Sequence, residues 1–128
     1  MSFDIHPDQL ARNKMMHEAS KPRKDRAATL ETYVRKVSRW HRDRNLIDGS
    51  TDKDQALKLL QELGELSDSI CKGKDISDDI GDMLVVMINI AERNNLTLTH
   101  CLQEAWMDIK DRKGKMVDGI FVKESDYS

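Results

Sequence analysis

Four carboxylates between Gln61 and Asp82 have the type and spacing to hold a divalent cation. Glu62 and Glu65 form one pair, Asp79 and Asp82 another, each spaced i, i+3. On a helix that spacing puts both side chains of a pair on one face, with Cβ atoms about 5–6 Å apart. Lys72-Gly73-Lys74, between the pairs, reads as a helix–helix turn, and a reversal there would bring all four carboxylates to one point. Such pairs on a solvated face are ordinary surface charge. Here, however, Glu62 and Glu65 lie beside Leu63 and Leu66, and Asp82 abuts the most apolar segment of the chain. Acids beside a core seam need partners. Lys58 can pair with Glu62 at i, i+4, but one lysine cannot neutralise four carboxylates. Hard oxygen ligands, with water completing the shell, suit Mg²⁺, with Mn²⁺ as a substitute.

Other chemistries do not match. A di-iron bundle wants Glu-x-x-His pairs, and none of His6, His17, His41 or His100 follows a Glu by three. A calcium loop starting at Asp75 needs Gly at its sixth position, where Ile80 stands. There is no phosphate-binding glycine loop and no nucleophile elbow, and His41-Arg42-Asp43 has no accompanying kinase signature. Cys71 and Cys101 are too few and too far apart for a disulfide framework and read as two reduced thiols.

The elements that must position these groups read as helices. The chain has 128 residues, 34% charged and 38% hydrophobic, with only two prolines. That suits one helical domain with a modest core. A net charge of −2 argues against a dedicated nucleic-acid binder. With no signal-peptide run and no membrane-spanning run, the expected setting is the cytoplasm.

Residues 1–28 read as a polar extension, with a short helix from Pro7 through Met16 and a basic stretch at 21–26. A first helix is expected over 29–44, with Leu30, Tyr33, Val34, Val37 and Trp40 as its apolar stripe. A second runs from Ser50 or Thr51 to about Cys71, with Ala56, Leu57, Leu60, Leu63, Leu66 and Ile70 turned inward. Gly64 costs about 1 kcal/mol against Ala in mid-helix, which suggests close approach of a partner helix or ligand. A third, from about 75–77 to Arg93, is apolar around most of its circumference, which implies burial on several sides and an oligomer interface. A fourth runs from Thr97 or Thr99 to about Lys113, with Leu98, Leu102, Trp106 and Ile109 on its stripe. Residues 29–116 make the domain and 117–128 a tail, with Ile120-Phe121-Val122 docking on a neighbour or forming a short extended piece.

The run ALKLLQELGELSDSICKGKDISDDIGDMLVVMINIAE resembles the core of the MazG-like nucleotide pyrophosphohydrolases, in the all-α NTP pyrophosphatase superfamily. The family pattern is E-E-x-x-E, a turn, then E-x-x-D. This chain has Gln61-Glu62-x-x-Glu65, then Asp79-x-x-Asp82. Gln61 replaces a Glu not counted among the ligands, and Asp79 replaces a Glu with a side chain one methylene shorter. The segments Trp40–Leu46 and Trp106–Met116 agree with the family as well, so that the resemblance covers about residues 30–123.

The resemblance implies a four-helix all-α core assembled as a homo-oligomer, a dimer or a tetramer. It also implies Mg²⁺-dependent hydrolysis of a nucleoside triphosphate, or its deoxy form, to the monophosphate and pyrophosphate. Glu62, Glu65, Asp79 and Asp82 would then be the metal ligands, and one of the glutamates, with Glu65 the first candidate, would take the proton of the attacking water. Phosphate charge calls for cations, for which Lys58, Lys110, Arg112 and Lys113 are candidates. Asn89, on the same helical face as Asp82, either reads a base or sugar edge or caps a helix–helix contact. Trp40 either stacks on the base or packs in the core, and His41 reads as a surface or packing residue. The alternative is a non-catalytic helical interaction module whose acidic patch binds metal or a basic partner.

Overall fold

A computed structural model of the chain describes residues 28–127. The readings made for the N-terminal extension therefore lie outside the described residues, apart from Ala28. Four helices follow in order: α1 (Leu30–Asp43), α2 (Asp52–Cys71), α3 (Ser77–Arg93) and α4 (Leu98–Ile109). Two short strands, β1 (Gly114–Val117) and β2 (Ile120–Lys123), and a single 3₁₀ turn (Glu124–Asp126) close the described chain.

Local chemistry sets the helix ends. Thr29, Thr51 and Thr97 are N-caps, and each hydroxyl accepts the backbone N–H of the third residue on, at 3.2, 3.1 and 3.0 Å. Asp75 starts α3 in another way, its carboxylate accepting the Ser77 N–H at 3.0 Å. Helices α1 and α3 end alike. Asn45 and Asn95 take positive φ, and the next leucine N–H returns to the carbonyl of His41 or Ala91 at 2.9 Å. That left-handed residue satisfies carbonyls the helix would otherwise leave open, and asparagine tolerates it. The α2–α3 turn uses Gly73, at φ 66°, for the same purpose.

Helix α3 lies centrally and packs against α1, α2 and α4, as its nearly all-round apolar surface requires. Its Val86, Ile88 and Ala91 are the buried apolar residues. Polar ties reinforce the packing: Arg93 bonds Asp52 at 3.0 Å and the Ile47 carbonyl, and Arg42 pairs with Glu92. Among the described residues no helix is long and apolar enough to cross a membrane.

Three expectations need correction. In α2 the face toward α3 carries Leu59, Glu62 and Leu66, while Leu57 and Leu60 stay 67% and 64% exposed and Leu63 and Ile70 are exposed too. The α4 stripe is likewise open at Leu102, Trp106 and Ile109. A single chain offers too few partner helices to cover both sides of α2 and the stripe of α4. Lastly, α4 stops at Ile109 rather than near Lys113. Of the two readings of Ile120-Phe121-Val122 the structure has the short extended piece, which joins the preceding residues in an antiparallel hairpin pairing Met116 with Phe121 and Val117 with Ile120. Asp118 and Gly119, both at positive φ, make the two-residue turn that such a hairpin favours.

Candidate metal centre

Glu62 faces α3 from the middle of α2 and is only 6% exposed. Glu65, one turn on, stands exposed at the rim, and Asp82 reaches in half-buried from α3. One carboxylate oxygen from each lies within 4.8 Å of the others. The i, i+3 spacing therefore did for the first pair what it promised, and the Lys72–Lys74 reversal brought Asp82 to it. Asp79, half-buried one turn before Asp82, is not in that group of three but acts on it by charge.

The electrostatics are those of an under-compensated cluster. The Glu65 carboxyl is held above its ordinary 4.5 first by hydrogen bonding to the Glu62 carboxyl and then by its charge, with burial adding less and Lys58 opposing. Asp82 is raised from 3.8 first by burial, then by the charges of Asp78, Glu62 and Asp79. Lys58 Nζ sits 3.2 Å from Glu62 Oε1, yet Glu62 Oε2 is buried with no hydrogen-bond partner. A buried carboxylate oxygen without a donor costs on the order of 1–3 kcal/mol. A hard cation would satisfy that oxygen and the two neighbouring carboxylates together. The donor set fits Mg²⁺ or Mn²⁺, both of which prefer a few carboxylates plus water.

Beside the cluster runs a groove of about 430 Å³ between α1 and α3, lined by Tyr33, Lys36, Val37 and Trp40 from one side and Asp82 and Val85 from the other. Trp40 is thus half-exposed on the wall facing a candidate ligand rather than in the core. Arg44 covers one face of its ring at 4.4 Å.

Other candidate residues lie elsewhere. Arg112 and Lys113 line a mixed-charge cleft of about 490 Å³ with Asp108, Asp111 and Lys123, and that cleft contains none of the three clustered carboxylates. Arg112 pairs with Asp108, and Lys110 Nζ lies 3.6 Å from Asp111. Asn89 is fully buried. Its amide nitrogen donates to the Leu46 carbonyl at 3.0 Å and to His41 Nδ1 at 3.3 Å, so that of its two readings the structure shows the contact between helices. His41 itself is 3% exposed, with Nε2 3.0 Å from the Val85 carbonyl. Its place was legible, since Leu30, Val34, Val37 and His41 follow helical spacing and put the ring on the stripe that meets α3.

Among proteins of known sequence, the chain is 39% identical over 71 residues to an uncharacterized 18.2 kDa protein in the rep-hol intergenic region of Haemophilus phage HP1 (strain HP1c1). The match takes in 54% of this chain and 44% of that protein, so the chain spans under half the length of the relative it matches. No protein-family model matches the chain, and no solved structure matches it.

Proposed function

We propose that the protein is a Mg²⁺-dependent nucleoside triphosphate pyrophosphohydrolase of the MazG-like type, working as a homo-oligomer. The observation that carries this reading is the convergence of Glu62, Glu65 and Asp82 from two helices around a buried oxygen that lacks a partner. The aromatic-walled groove beside them supports it, because a metal-held phosphate chain would leave the nucleoside there.

In this reading Glu62, Glu65 and Asp82 hold the cation, with Asp79 close enough to influence it by charge. Bound Mg²⁺ would neutralise phosphate charge and lower the pKa of a nearby water. Glu65, exposed at the rim beside Glu62, is placed to take the proton from the attacking water as well. The water oxygen bonds to the α-phosphorus in line with the departing oxygen, the α–β bridge breaks, and pyrophosphate leaves. Lys58 keeps the cluster from repelling itself apart and is the nearest candidate cation for a phosphate oxygen.

The exposed α2 leucines support the oligomer. Leu63 and Ile70 project from the flank of α2 opposite Glu65, so a second copy can cover them without closing the metal centre. The test is pyrophosphate release from a panel of ribo- and deoxynucleoside triphosphates with Mg²⁺. Turnover on at least one is expected, with Glu62→Gln lowering it by about 10²-fold or more. No release from any nucleotide with Mg²⁺ or Mn²⁺, and no thermal response to a non-hydrolysable analogue, would leave a metal-binding interaction module instead.

A further inference from the structure

We infer that His41 and Asn89 form a buried clamp that sets Trp40 across the groove from Asp82, making both of them positioning residues for the wall on which a nucleobase stacks. The consequence for nucleotide binding rests on the function proposed above; the clamp itself does not.

The spacing of the heavy atoms fits one assignment of donors and acceptors, with Asn89 Oδ1 left without a partner among the described residues. Val85 O is a carbonyl, so His41 Nε2 carries the hydrogen and donates to it at 3.0 Å. His41 Nδ1 is then the acceptor, and the Asn89 amide donates to it at 3.3 Å while its other hydrogen goes to Leu46 O at 3.0 Å. The ring thus spans one turn of α3, from Val85 to Asn89, and Asn89 also pins the residue that ends the α1 turn. Both side chains are out of water, so a lost bond there is not replaced by solvent.

Each end of this clamp reaches the groove. Val85 lines it directly. Trp40 meets the His41 ring edge-on, with centroids 5.5 Å apart and planes at 74°. Arg44 covers one face of the indole and donates to the Trp40 carbonyl at 3.3 Å. Two neighbours therefore orient the ring, and Trp40 lines the groove while Arg44 does not. Stacking depends on that orientation, because the attraction falls away once the planes separate.

The experiment uses full-length protein carrying Trp106→Phe, which leaves Trp40 as the single tryptophan. In that background His41→Asn keeps an acceptor for Asn89 and loses the Val85 bond, while His41→Gln does the reverse. With no nucleotide present, acrylamide quenching of Trp40 is expected to rise about twofold in either variant as the ring is freed. Affinity for a non-hydrolysable nucleoside triphosphate with Mg²⁺ should weaken about tenfold, the scale of one lost stacking contact. Stabilisation by Mg²⁺ alone should be unchanged. Adding His41→Asn to Trp40→Ala should then change affinity less than twofold, because the ring it positions is gone. Unchanged quenching in both variants overturns the clamp, as do effects of Trp40→Ala and His41→Asn that multiply. Loss of the Mg²⁺ response overturns it too, since the pair would then be holding the carboxylates. If the parent protein binds no nucleotide, the proposed function fails and quenching alone decides the clamp.

Discussion

Glu62 has given up water without gaining enough donors, and most of the behaviour expected of the centre follows from that. With all three carboxylates ionised, Oε2 has no partner and Glu65 faces a like charge. A proton on Glu65, hydrogen-bonded to the Glu62 carboxyl, is the nearest substitute for a cation, which is why Glu65 sits above its usual range. The sign of the linkage is definite. A carboxyl raised by folding contributes stability that is complete below its unfolded value, 4.5 for Glu65 and 3.8 for Asp82, and that is lost as pH rises through the raised folded values. The metal-free protein therefore carries its largest electrostatic burden near neutrality, where a cation has most to relieve. The rise in melting temperature on adding Mg²⁺ should be clearly larger at pH 7 than at about pH 4.5, as read by thermal scans at fixed ionic strength. An equal rise at both would mean that the cation binds elsewhere.

The helices were readable one by one because each announces itself in its own residues: a threonine cap, a stripe at helical spacing, an asparagine or glycine stop. The acidic centre was readable for the same reason, being two local spacings and a turn. What could not be read was which side of α2 meets α3. Leucines lie on both flanks, and the side that packs is marked by a buried acid, Glu62, which any apolarity rule assigns to solvent. The hairpin was signalled by Asp118-Gly119 between Val117 and Ile120, yet strands this short with only each other to pair with carry little weight in a helical chain. Gly64 offers a test at this scale. A Cβ built there meets nothing within 4 Å, so nothing in the described chain requires glycine. Gly64→Ala should stabilise the single chain by about 0.5–1 kcal/mol through helix propensity, measured by urea unfolding at low protein concentration. A loss of stability confined to high concentration would place a partner helix against that position.

For the whole molecule, the informative feature is how much apolar surface remains uncovered: Leu57, Leu60 and Ile70 on α2, then Leu102 and Trp106 on α4. Exposed apolar side chains gathered along a helix face in this way mark candidate interfaces. Leu60→Glu should leave helicity intact, because the side chain is already in solvent within one chain, while moving the sedimentation coefficient to the monomer value at micromolar concentration. If the parent protein already sediments as a monomer, the oligomer proposal is wrong. The short Lys72–Lys74 turn has a different implication. Glu62, Glu65 and Asp82 all belong to the single hairpin that this turn closes, so no distant part of the chain is needed to assemble them. During synthesis the three carboxylates can come together as soon as α3 has emerged, before α4 or the β-hairpin exists. Closing so short a loop costs little entropy, and a cation that bridges its two arms would reward that closure early. With a cation bound there, the rest of the chain would condense on a hairpin already held shut.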